Sequence, residues 1–131
     1  MTGMTKCFRY GTLYRRLFKM RWGIDKGLTQ DHHVIPRKFK NHDVVQRIRY
    51  DMDSSKNLVI MPTYYGLDKL NVRQNRLVHY GGHPSYDKFV FASLESMNSI
   101  SNDGIVEEYM DRYVTFLKRH LRGEAGRIPW K

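Results

Sequence analysis

Gln30-Asp31-His32-His33-Val34-Ile35-Pro36 is the stretch on which the reading of this chain turns. A short run that ends in β-branched residues and stops at a proline predicts a strand over 30–35, because proline cannot donate to a sheet ladder. Successive strand side chains face opposite sides. A lone strand histidine is usually structural, but two in succession send one ring to each face unless a bulge or strong twist turns both to one site. The pair His32-His33 is therefore the first candidate for chemistry.

Outward from this stretch, the C-terminal side reads as alternating short elements. Asp43, with Gln46 three residues on, predicts a capped short helix carrying Val44, Val45 and Ile48. Asp51 to Asn57 is rich in turn formers and predicts a loop. Leu58-Val59-Ile60-Met61, closed by Pro62, predicts a second buried strand. Residues 63–82 hold Gly66, Gly81 and Gly82 but no sustained period, and no element is assigned there. From Pro84 the period is helical, with Tyr86, Phe89, Val90, Ser93, Leu94 and Met97 on one face and Pro84 at the first helical position. A last helix is expected from about Gly104 to Leu121, with Ile105, Tyr109, Tyr113, Phe116 and His120 or Leu121 as its core stripe. Asp103 is its expected cap, and Gly123 its stop. The tail 124–131 is expected to pack through Trp130, if at all.

On the N-terminal side, Tyr10, Leu13, Tyr14, Leu17 and Phe18 recur at helical spacing and predict the buried face of a core helix. Arg9, Arg15, Arg16 and Lys19 fall off that face, as a solvated basic side or as a surface that follows phosphates. Residues 1–27 thus read as a basic helix of the folded domain, with an organellar targeting peptide as the competing reading.

Composition bounds the rest. The chain has 131 residues, the size of one domain, and 40% of them are hydrophobic. One cysteine, Cys7, excludes an internal disulfide and a cysteine-based zinc site. A formal net charge of +10 favours a polyanionic ligand without identifying it. No apolar run has the length of a membrane span, and no secretory signal is recognised, so an intracellular location (cytoplasmic, nuclear, or viral or phage-encoded) is the expectation.

A second histidine cluster, His79-Tyr80-Gly81-Gly82-His83-Pro84, sets a histidine at the mouth of the predicted helix, either as a cap or as a ligand. His32-His33-Val34-Ile35-Pro36, then Asn57-Leu58-Val59-Ile60-Met61-Pro62, then His79 to Tyr86, form a strand–strand–helix order. This order resembles the HNH/endonuclease VII (ββα-metal) nuclease superfamily, and more narrowly its Ala-His-His (AHH) branch. The resemblance implies an α+β fold: a small two-stranded ββα-metal core over residues 28–98, with the N-terminal helix (1–27) and a C-terminal helix and tail (99–131) added in one domain.

The resemblance also implies roles. His33 matches the general base, His32 and His83 the metal ligands, and Asn57 the asparagine that holds the loop and the base in place. His79 matches a histidine that contacts phosphate or metal. Asp31 stands where the branch has Ala, which opens a second register with Asp31 as ligand and His32 as base. Asp87 stands where Asn is common.

These residue types suit phosphodiester hydrolysis. A neutral imidazole takes a proton from water, and one divalent ion (Mg, Mn, Zn or Ni) held by two or so protein ligands stabilises charge on the phosphate and the leaving oxygen. Arg37, Lys38, Arg73 and Arg76 are the candidates to position the backbone of double-stranded DNA without reading its sequence, with RNA as the other substrate. The competing functions are a non-catalytic basic nucleic-acid-binding or packaging protein that keeps the nuclease fold, and a small structural metal domain.

Overall fold

The computed structural model describes residues 8–70, 82–123 and 129–130. Its elements are α1 (Leu13–Arg21), β1 (Thr29–His33), α2 (Asp43–Arg47), β2 (Leu58–Pro62), α3 (Tyr64–Lys69), α4 (Pro84–Asn98) and α5 (Asp103–Leu121), with 3-10 turns at Arg37–Phe39 and Ser55–Asn57. The two strands pair antiparallel, from Thr29 opposite Pro62 to His33 opposite Leu58. This is a small α+β fold built on one hairpin and the helix α4, as the resemblance implies. None of the described helices is long and apolar enough to cross a membrane.

β1 ends two residues before the expected Ile35. Val34 and Ile35 leave the ladder but are fully buried, and the Val34 amide donates to the Asn57 carbonyl at 2.8 Å. Beneath the hairpin, Val34, Ile35, Val59 and Met61 pack with Tyr86, Val90 and Leu94 of α4 and with Val106, Met110, Val114, Leu117 and Leu121 of α5. The Tyr86 hydroxyl donates to the Val34 carbonyl at 2.6 Å, so the aromatic body fills the core while its polar tip satisfies the backbone where the ladder stops. Arg47 ties α2 to the turn between α4 and α5 through Ile100, Asn98 and Asp103.

The core stripe of α5 differs from the expected one by a rotation of one residue. Ile105, Tyr109 and Phe116 are about half exposed, and the buried positions are 106, 110, 114, 117 and 121. Both stripes have helical spacing, but the buried one is purely aliphatic and thioether and leaves no hydroxyl to satisfy. Two expected caps also move by one position. Asn102, not Asp103, accepts from the Ile105 amide, and His42, not Asp43, accepts from that of Val44.

The largest correction concerns α1. Its expected core face (Tyr10, Leu13, Tyr14, Leu17 and Phe18) is exposed, and the residue it buries is Arg15. The cause lies in the strand beside it. The Asp31 side chain is largely withdrawn from solvent, 8% exposed, and a carboxylate so placed demands cations. Arg15 meets it with two bonds, 2.8 and 2.9 Å, and Lys19 with one at 3.0 Å. Helix α1 is thus turned by charge rather than by apolar burial.

Candidate active site

β1 sends His32 and His33 to different surroundings, as a regular ladder demands. His32 is buried, and its ring lies among His83, Tyr86 and Trp130, with centroids 5.0, 5.1 and 5.1 Å away. His83 reaches it from the residue preceding α4. It occupies the N-cap position there, although its side chain makes no capping bond. Instead its Nδ1 lies 2.9 Å from Oδ1 of Asp87, one turn along the helix, while its ring stacks on Trp130 at 4.9 Å.

The second half of the site faces the other way. Nε2 of His33 lies 2.9 Å from Oδ1 of Asp53, and its ring meets that of Tyr10 edge-on at 4.7 Å. Arg37, exposed, stands 3.7 Å from the same Asp53 oxygen and over the Tyr10 ring. The Tyr10 amide donates to the Asp53 carbonyl at 3.0 Å, and Arg9 pairs with Asp51 in the same loop. The N-terminal segment therefore closes over the His33 face.

Asn57 underlies this loop. It is fully buried, and its amide makes four bonds: Oδ1 accepts from the Ile35 amide and the Tyr50 hydroxyl, and Nδ2 donates to the Ile35 and Met52 carbonyls. The loop that bears Asp53 is thereby fastened to the exit of β1. Asn57 reaches His33 through that loop, with Asp53 as the contacting side chain.

Asp31 belongs to neither histidine. Burial would raise its pKa, but the bonds and charges of Arg15 and then Lys19 prevail and hold its carboxyl below the ordinary 3.8. An anion already clasped by two cations is poorly placed to serve as ligand, and nothing in the geometry favours the second register.

Arg37 and Lys38 flank the two halves, Arg37 beside Asp53 and Lys38 with its Nζ 3.1 Å from Asp87. His79, Arg73 and Arg76 lie outside the described residues. Trp130, the expected packing residue of the tail, joins the rings of His32 and His83. Two contributors were not singled out from sequence: Asp53, hidden in a stretch of turn formers, and the orienting contact of Asp87. Only Asp87 carried a signal, as a departure from the branch pattern.

Among the described residues, no group of three or more His, Cys, Asp or Glu side chains converges as a metal-binding set. His32 and His83 do fit one ion as a pair. Both are imidazoles, their rings lie 5.0 Å apart, and the carboxylate on His83 Nδ1 is the arrangement that turns Nε2 of a histidine toward a metal.

A family model described as AHH, a nuclease family of the HNH/ENDO VII superfamily with conserved AHH, matches residues 20–119. No curated protein and no solved structure matches the chain.

Proposed function

The chain belongs to the AHH nuclease family of the HNH/ENDO VII superfamily, and from that premise we propose that it is a metal-dependent endonuclease acting on double-stranded DNA with little sequence preference. The observation that carries the metal dependence is the meeting of the His32 and His83 rings, one from a strand and one from a helix mouth.

In this reading His33 is the general base. With its Nε2–H donated to Asp53, Nδ1 is the nitrogen that takes a proton from the attacking water. Asp53 holds the ring in that tautomer and steadies the imidazolium that forms, and Asn57 holds the loop that carries Asp53. His32 and His83 would hold the divalent ion, which when bound supplies Lewis-acid stabilisation of the phosphate and the departing oxygen. Asp87 fixes the His83 ring, and Arg37 and Lys38 attract the phosphate backbone. The expected products carry 5′-phosphate and 3′-hydroxyl ends.

Purified protein is expected to nick supercoiled plasmid with Mg²⁺, Mn²⁺, Zn²⁺ or Ni²⁺, and His33→Ala to lose cleavage while retaining DNA binding. Intact plasmid across that panel of metals would remove the enzymatic reading.

A further inference from the structure

Beside the His83 end of the site runs a cavity of about 280 Å³, lined among the described residues by Lys38, Phe39, Pro84, Asp87, Lys88 and Phe91. It adjoins the candidate site through Asp87, which lines it and bonds both His83 and Lys38. Its composition is specific. The Phe39 and Phe91 rings lie side by side, 6.0 Å apart and tilted by 33°, and Phe91 stays 47% exposed. Lys38 lies 5.6 Å from the centre of the Phe39 ring, and Lys88 is exposed at the rim. Asp87 is the single anion of the lining, already matched by Lys38.

Ammonium groups beside a partly open pair of phenyl rings are what a nucleic-acid strand asks for, a cation for phosphate and a ring for the base. A paired base hides its faces in the duplex stack, so phenyl faces give nothing to an intact helix. We infer that this groove takes an unpaired nucleotide next to the bond being cut, stacking its base on Phe91 and Phe39 and holding its phosphate with Lys88 and Lys38. The inference rests on the nuclease reading for its biological sense and deepens it. The substrate would be DNA with a single-stranded segment beside the duplex, such as a flap, gap or tail.

The test is binding in EDTA, where no cleavage occurs, read by fluorescence anisotropy on a blunt duplex and on the same duplex with a thymidine tail. The native chain is expected to bind the tailed DNA more tightly. Phe91→Leu keeps apolar bulk but removes the aromatic face. It should lower tailed-DNA affinity about tenfold, leave blunt-duplex affinity unchanged and melt at the native temperature. Lys88→Gln should weaken both and flatten the salt dependence. Equal affinity of the native chain for the two DNAs, or full tail binding by Phe91→Leu, overturns the inference and gives the groove to a protein partner. A tail preference without plasmid nicking would sustain the groove while removing the nuclease mechanism.

Discussion

The two faces of β1 present the same side chain, imidazole, in opposite environments. On one face His32 is sealed among three aromatic rings. On the other, His33 sits in a polar setting of Asp53, Tyr10 and Arg37, beneath a segment fastened by the Arg9–Asp51 ion pair. In the proposed mechanism that difference gives neighbouring histidines different work. A ligand gains from a rigid wall that keeps its ring fixed. A base gains from a carboxylate on its far nitrogen and access to water at the near one. One residue of strand register separates the two environments, so a shift by one position would exchange them.

The largest effect should come from breaking the two faces separately. His33→Ala is expected to cut turnover by roughly 10²–10⁴-fold and to leave metal uptake intact. His32→Ala should abolish uptake. Uptake can be read by Co²⁺ or Ni²⁺ quenching of Trp130, which stacks on His83, against the exposed Trp22 as internal control. Equal loss of uptake in both variants would erase the contrast between the faces.

Next in size is the clasp under α1. Asp31→Ala leaves two cations without their partner and should cost about 3–5 kcal/mol in chemical denaturation. The sign of the pH dependence follows from the lowered pKa of Asp31. Its contribution to stability is complete above the ordinary carboxylate value of 3.8 and is lost as pH falls through the lower folded value. Thermal melts across that acidic window should show this loss in the native chain and not in Asp31→Ala.

A smaller effect sharpens the role of the orienting carboxylate. Asp53→Asn should lower kcat about tenfold through the wrong tautomer of His33, alter the pH profile, and leave Trp130 quenching by metal unchanged. The smallest belongs to Arg37, exposed at the rim. Arg37→Gln should weaken DNA binding for all sequences alike and reduce the slope of affinity against salt by about one phosphate contact.

Much of the fold was legible in the sequence where periodicity and punctuation agreed. The stop at Pro36, the buried run Leu58 to Met61 and the start at Pro84 mark both strands and the helix that carries the site. The meeting of His32 with His83 was legible only through the resemblance, since no local rule brings a strand residue to a distant helix mouth. What escaped was decided by tertiary partners. Arg15 is buried because it pairs with Asp31, and a helical wheel shows only the apolar stripe, not the carboxylate waiting across the gap. Asp53 was hidden because turn chemistry and an orienting role use the same residue type. The α5 stripe was ambiguous by construction, having an aromatic-rich face and an aliphatic one a single residue apart.

The ring cluster around His32 has a consequence for the order in which the molecule acquires its properties. Its members come from β1, the start of α4 and Trp130, segments far apart along the chain. Contacts of such separation form late, because the entropy of closing the intervening loops has to be met first. In the proposed reading a newly made chain would therefore gain metal-dependent cleavage late, only once these three segments have met.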